Sequence, residues 1–207
     1  MRTSSEIETI SKRASRAAGF TWGVSEEVGK CIKVLELYKI SGLENLYNYL
    51  IEIKSKEPSG PSAISKDNEL KEGNLCPIYT GVALIDSAHE VLELKTISIK
   101  SLDFPILLIP FLSRLSYKIG KMIEVKFDEV KIILNLNNYI SSNHDLRKKV
   151  LKSTSQLSIN IIENDDTFDP KIWDEMYKLS TETFVEENDR LKSNAAGAGL
   201  ALSLIHI

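Results

Sequence analysis

Glu26 and Glu27 are the residues of this sequence best suited by type and spacing to acid/base chemistry. They end the stretch GFTWGVSEE, in which Trp22 stands between Gly19 and Gly23. A wall of low polarity disfavours the charged form of a carboxyl group, so it raises the pKa toward the range that proton transfer requires. We therefore name Glu27 as the candidate catalytic residue and Glu26 as its alternative.

The same corner offers groups for binding an anionic ligand. Ser25 is the predicted N-cap of a helix, so the backbone amides from Ser25 to Glu27 would be free to bind an anion. Trp22 and Gly23 would form the wall of that pocket, and Arg16 would reach across the corner as a positive partner. A purely structural interpretation is also open, in which Trp22 fills the core and both glutamates complement the helix dipole.

Two other segments are candidates for the same ligand site. Cys76, in NLCPIYTG, is a ligand-binding candidate, although no histidine of the sequence can be assigned as a base that would make it a nucleophile. Gly197 and Gly199, in AAGAGL, have the composition of a phosphate cradle, but such a loop requires a helix directly after it. A flexible or closing tail is the alternative. Convergence of these segments on one pocket would favour a ligand site, whereas dispersal beside an exposed apolar face would favour a partner protein.

Composition and charge argue against several classes of function. The 207 residues include 26 basic and 29 acidic side chains, and the formal net charge of -3 gives no broad attraction to nucleic acid or an anionic membrane. The most apolar run, FPILLIPFL, is much shorter than the ~20 residues of a membrane-spanning helix. The 3 histidines and 2 cysteines lack the spacing of metal ligands, so we predict no metal site. No motif of the sequence indicates which cofactor, if any, the protein uses. The polar N-terminus and sparse cysteines predict a cytoplasmic location.

The elements that position these residues predict an α+β fold. Residues 1–54 are predicted to form three helices: the first from about Glu6 with a Ser5–Glu8 capping box, the second from Ser25 to the Ser41-Gly42 pair, and the third beyond it. Ile7, Ile10, Ala14, Ala17 and Ala18 are the expected inner stripe of the first helix. Residues 55–74, rich in charge, proline and glycine, are predicted to be a linker or a long surface loop.

The predicted α+β core, residues 75–201, contains a mainly antiparallel sheet and forms one compact domain with residues 1–54. MIEVKF and VKIILNL are expected to form a hairpin around Asp128-Glu129, and QLSINII another strand. Gly120 is expected to end a helix that starts at Pro110, and Asp169 to cap a C-terminal helix that precedes a glycine-rich tail. Residues 202–207 are predicted to be a non-native tail.

Four segments of the chain are distinctive: SRAAGFTWGVSEEVGKCIKVL, NLCPIYTGVALID, FPILLIPFLSRLSYKIGKMIEVKFDEVKI and LSTETFVEENDRLKSNAAGAGL. In this order they resemble a bacterial family catalogued as domain of unknown function 3726. The resemblance covers about residues 5–200 and implies a stand-alone bacterial cytoplasmic protein, without implying a reaction, cofactor or catalytic residue. The segment TFVEENDR is shorter than its family counterpart and lacks a proline, and the ending ALSLIHI resembles translated adapter sequence from a metagenomic reading frame.

Two functions stay open. The first is a small-molecule metabolic enzyme with acid/base chemistry, its site built from the Trp22 corner, the Cys76 loop and the glycine tail. The second is a non-catalytic ligand-binding module or partner subunit that acts beside a metabolic enzyme, which allows a partner protein or a homo-oligomer. A small-molecule partner fits both hypotheses, and neither predicts a nucleic-acid or membrane partner.

Overall fold

The computed structural model describes residues 2–136, 139–163 and 165–183, and over these residues the protein is α+β, as predicted. The chain divides into two compact units, Met1–Asn164 and Asp165–Ile207. The helices are α1 (Ser4–Ala17), α2 (Trp22–Leu37), α3 (Gly42–Glu52), α4 (Pro77–Asp86), α5 (Ala88–Leu94), α6 (Ile109–Ile119) and α7 (Pro170–Thr181). The strands are β1 (Asp67–Asn68), β2 (Thr96–Asp103), β3 (Met122–Phe127), β4 (Val130–Asn135), β5 (Tyr139–Ser142) and β6 (Ser153–Ile162). None of the described helices combines the length and apolar character of a membrane span.

The capping box of α1 lies two residues before the predicted one. The Thr3 hydroxyl accepts a hydrogen bond from the Glu6 N–H at 3.2 Å, and the Glu6 carboxylate accepts one from the Thr3 N–H at 2.7 Å. The prediction of Ser5 and Glu8 is therefore wrong. Both pairs fit the capping pattern, and the earlier pair lets the helix start at Ser4.

The predicted apolar stripe of α1 is confirmed only at Ile7 and Ala18, which pack against the core, and small polar residues occupy its fully buried positions. Ser11 and Ser15 are buried, whereas Ile10 is 57% exposed. The backbones of α1 and α2 approach closely, because a Cβ at Gly29 would lie only 2.7 Å from the Glu8 carbonyl oxygen. Close approach of two helices requires small side chains between them, so serines rather than isoleucines occupy the contact.

The second helix also starts earlier than predicted. Thr21 is its N-cap, and the Thr21 hydroxyl accepts a hydrogen bond from the Val24 N–H at 3.3 Å. The prediction that Ser41 and Gly42 end this helix is wrong as well, since α2 ends at Leu37 and Gly42 begins α3. Ser41 is the residue that precedes α3.

The sheet has six strands in the order β1-β2-β6-β3-β4-β5. The β1–β2 pair is parallel and the other neighbours are antiparallel. The predicted hairpin of β3 and β4 is confirmed, with Asp128 at a φ of 50° in the turn. The prediction that Gly120 ends α6 is confirmed by its left-handed conformation, at a φ of 66°. Alternate apolar side chains of β2, β3, β4 and β6 join those of α2, α4 and α6 in one core.

Residues 55–74 contain strand β1, which pairs with Ser98 and Ile99 of β2. Asn68 is buried, and its side-chain amide donates to the Ser98 carbonyl at 3.1 Å and to the Ser65 carbonyl at 2.7 Å. This long connection is thereby hydrogen-bonded to the edge of the sheet.

The second unit contains α7, which Asp169 caps as predicted by accepting the Lys171 N–H at 2.9 Å. Phe168 stacks on Trp173 with 5.7 Å between ring centroids. Within this unit no residue of α7 is buried. The glycine-rich segment with Gly197 and Gly199, and the predicted non-native tail at 202–207, lie outside the described residues.

Candidate functional site

The α1–α2 corner does not provide the free amides that the sequence predicted. Ser25 is not the N-cap of α2, because the helix starts at Trp22 and Thr21 caps it. The Ser25 N–H donates to the Thr21 carbonyl at 2.9 Å, as an interior helical residue does. Glu26 and Glu27 follow beyond the first turn, so this stretch does not form an anion-binding helix N-terminus.

Phe20, and not Trp22, fills the core at this corner. The Phe20 side chain is 1% exposed and Trp22 is 60% exposed. The Arg16 guanidinium lies 5.4 Å from the Trp22 ring centroid and donates to the Phe20 carbonyl at 3.0 Å, and its role as a partner of an anionic ligand stays a prediction. Gly23 faces open space, with no atom within 4 Å of the position of a Cβ. The corner is thus an exposed cation–π contact over a buried phenylalanine.

Both candidate acid/base residues take part in ion pairs. Glu26 lies 3.2 Å from Lys30 and 3.3 Å from Lys12, and hydrogen bonds from Lys30 and Lys12 lower its pKa below the usual value. The raised pKa that proton transfer would need is therefore not found at Glu26. Glu27 lies 3.2 Å from Lys30 and pairs with Arg114. These carboxylates connect α2 to α1 and α6.

The corner and Cys76 are linked only through intervening side chains. Neither Trp22 nor Glu26 lines the cleft that contains Cys76. The Phe20 ring packs on Tyr79 with 5.3 Å between centroids, and the Tyr79 N–H donates to the Cys76 sulfur at 3.4 Å. The structure therefore separates the exposed part of the predicted corner site from its cysteine.

The cleft at Cys76 has a volume of about 520 Å³. It lies within the first unit, between the C-terminal end of α3, the connections at residues 56–59 and 70–76, the end of β2, and residues 152–153. Cys76 and Tyr49 are both buried, at 2% and 1% exposure, so they form its floor. Asp103, the last residue of β2, is half-buried beside them.

Local hydrogen bonds hold the floor of this cleft in place. Cys76 is the N-cap of α4, and its backbone N–H donates to the Ser59 carbonyl at 2.8 Å. Asp103 accepts a hydrogen bond from the Asn74 side-chain amide at 2.7 Å. The Tyr49 ring packs on Phe104 with 5.6 Å between centroids. The floor of the cleft therefore lies where α3, α4 and β2 begin or end, and the connections at residues 56–59 and 70–74 line the rest of it.

No nitrogen or oxygen atom of the described residues hydrogen-bonds to the Tyr49 hydroxyl, and the polar atom beside it is the Cys76 sulfur. The thiol is a weak partner, and burial raises the pKa of Tyr49 far above its usual value. Burial also raises the pKa of Cys76 to about 11. Since the thiolate and not the thiol is the nucleophile, Cys76 is unreactive at neutral pH.

Four carboxylates and two ammonium groups line the cleft, contributed by Glu52, Glu57, Glu72, Asp103, Lys56 and Lys152. Lys152 pairs with Glu52 at 3.3 Å. Over the described part of the chain, no group of three or more histidine, cysteine or acidic side chains is placed to hold a metal ion.

Sequence analysis did not identify Tyr49 or Asp103. A usable signal existed for Tyr49, because Leu46, Tyr49, Leu50 and Ile53 recur at helical spacing and are all buried. A buried tyrosine needs a polar partner for its hydroxyl, and Tyr49 is one of the residues that line the cleft. Asp103 lies 54 positions further along, and only the packing of α3 near the end of β2 brings it to the cleft.

A groove between α1 and α3 exposes apolar side chains. Ile10, Leu43 and Tyr47 line it and are 57%, 40% and 65% exposed, respectively. Trp22 and Glu26 do not line the cleft at Cys76, and Gly197 and Gly199 lie outside the described residues, so the predicted convergence of all these segments stays a prediction.

The sequence model of a family described as "Protein of unknown function (DUF3726)" matches residues 2–86. Over these residues the chain is similar to this family. The matched part includes the corner, Tyr49 and Cys76, whereas Asp103 and the last two distinctive segments follow it. No curated protein and no solved structure matches the chain.

Proposed function

We propose that this protein binds a small polar molecule in the cleft above Tyr49 and Cys76, and that it does so without catalysis. The observation that carries the proposal is the buried Tyr49 hydroxyl at the cleft, which has no nitrogen or oxygen partner among the described residues and only the weakly bonding Cys76 thiol beside it. A buried polar group without a partner costs about 1–3 kcal/mol. A ligand that hydrogen-bonds to this hydroxyl recovers that free energy, so the cleft is preorganised for a polar group.

Catalysis is disfavoured by the state of the candidate reactive groups. Cys76 is a thiol at neutral pH, because burial raises its pKa to about 11. Glu26 and Glu27 each contact two cationic side chains, which is the environment of structural ion pairs. The non-catalytic alternative of the sequence analysis therefore fits this chain better than an acid/base enzyme. The family resemblance supports a ligand from the bacterial cytoplasm.

A thermal-shift screen tests the proposal with amino acids, diamines, dicarboxylates, sugars and nucleosides as probes. We expect at least one probe to raise the melting temperature of the wild type and of the control Tyr117→Phe, whose ring is 70% exposed. The same probe should have little effect on Tyr49→Phe. An equal response of Tyr49→Phe, or no response to any probe, would contradict the proposal.

A further inference from the structure

The charge nearest the floor of the cleft is negative. Asp103 lines the cleft next to Tyr49 and Cys76, and its charge adds to the effect of burial in raising the pKa of both groups. The hydroxyl and the thiol are neutral at physiological pH, so the carboxylate is the charged group that a ligand meets at the floor.

Asp103 has unused hydrogen-bonding capacity. Its Oδ1 accepts a hydrogen bond from the Asn74 amide at 2.7 Å, and within the described residues its side chain has no ion-pair partner. A carboxylate offers about four lone-pair sites. The Asp103 side chain can therefore accept further hydrogen bonds from a donor in the cleft.

The rim of the cleft adds to the negative charge. Glu57 and Glu72 line it without an ion pair to any described residue, whereas Lys152 is already paired with Glu52. Lys56 is the remaining ammonium group among the lining residues described. Among the described lining residues, the three carboxylates without an ion pair are therefore Asp103, Glu57 and Glu72. The single ammonium group left to balance them is that of Lys56.

We infer that the ligand carries a primary ammonium group, which donates to the Asp103 carboxylate and to the Tyr49 hydroxyl oxygen. This inference rests on the proposed function and names its ligand class. An ammonium group has three donors and no acceptor, so it matches a floor of two acceptor groups. A carboxylate or phosphate ligand would instead place its charge against Asp103, and like charges at such an interface are unfavourable.

Isothermal titration calorimetry on the full chain tests the ligand class with matched probes. The amine set is 1,3-diaminopropane, 1,4-diaminobutane, 1,5-diaminopentane and ethanolamine, and the comparison compounds are succinate and 1,4-butanediol. We expect at least one amine to bind, with binding that weakens as salt is added, and neither comparison compound to bind. Binding of succinate in preference to every amine would overturn the inference without requiring any variant.

Asp103→Asn removes the charge while keeping an oxygen that can accept the hydrogen bond from Asn74. We expect it to weaken amine binding by about tenfold or more, the usual consequence of losing a charged hydrogen-bond partner. Glu129→Gln makes the same change of charge on the exposed β3–β4 turn, outside the cleft, and should bind as the wild type does. Unchanged amine affinity in a folded Asp103→Asn protein would overturn the inference.

The two proposals fail in distinguishable ways. A neutral or anionic probe that stabilises the wild type but not Tyr49→Phe would refute the ammonium class and leave the ligand site standing. If the stabilisation by every probe is the same in the wild type and in Tyr49→Phe, both proposals are wrong.

Discussion

The α1–α2 corner and the Cys76 cleft contain similar chemical groups but differ in whether those groups have partners. At the corner, Arg16 donates to the Phe20 carbonyl, and both glutamates are held by cationic side chains. In the cleft, the Tyr49 hydroxyl is buried without a nitrogen or oxygen partner among the described residues. Residue type alone favoured the corner, whereas the cleft combines such a buried hydroxyl with a cavity of about 520 Å³, which makes it the better candidate site.

The largest expected effect is on the free energy of unfolding, and it differs between the two aromatic residues of the corner. Phe20→Ala is expected to lower the free energy of unfolding by about 3–5 kcal/mol, because the ring is buried and packs on Tyr79. Trp22→Ala should cost less than about 1 kcal/mol, since the side chain is largely exposed. Urea denaturation measures both values. A cost for Trp22→Ala equal to that for Phe20→Ala would mean that Trp22 is part of a buried contact.

The thiol of the cleft should make stability depend on alkaline pH. Burial raises the folded-state pKa of Cys76 from 9.0 to about 11, so its contribution is complete below pH 9 and is lost as the pH rises toward 11. Over this window the wild type should lose about 2–3 kcal/mol more stability than Cys76→Ala. Denaturation curves at pH 8 and pH 11 provide the test. Parallel losses in the two proteins would show that Cys76 is accessible to solvent when folded.

Tyr49→Phe should stabilise the ligand-free protein by about 1–2 kcal/mol, because it removes a buried hydroxyl that lacks a nitrogen or oxygen partner among the described residues. The same substitution should abolish ligand binding, so stability and function change in opposite directions. Chemical denaturation without ligand measures the first effect. A loss of stability would indicate that the hydroxyl has a structural partner in the folded protein.

The smallest effect on the free energy of unfolding is expected for a substitution of Glu27 at the corner. Glu27→Gln weakens the contacts to Arg114 and Lys30, which are partly exposed, and should cost about 1 kcal/mol or less. It should leave ligand binding in the cleft unchanged. A folded Glu27→Gln protein that no longer binds a ligand recognised by the wild type would restore the corner as the functional site.

The sequence predicted the ends of helices correctly where only one residue nearby could cap or terminate the helix. Gly120 readily adopts the left-handed conformation that ends α6, and Asp169 precedes a proline, which a helix tolerates best in its first turn. Helix starts with two competing caps were misplaced, as at Thr21 and Ser25. Propensity does not decide between two good caps, and tertiary packing does.

The candidate site could be predicted only in part. Cys76 was identified because it stands beside a proline at the start of an element, which is a local feature. Its neighbours Tyr49 and Asp103 come from a helix before it and a strand after it, and their proximity depends on long-range packing. The absence of a nitrogen or oxygen partner for Tyr49 among the described residues is likewise a property of the folded unit and has no counterpart in the sequence.

The position of β6 in the sheet has a consequence for the order of synthesis. This strand is the last of the described strands along the chain, yet it lies between β2 and β3 and pairs with both. Until residue 162 has left the ribosome, β2 and β3 lack their shared neighbour and present unpaired edges. The nascent chain therefore lacks its central strand until residues 153–162 are translated, and during that interval the edges of β2 and β3 are open to pairing with other strands.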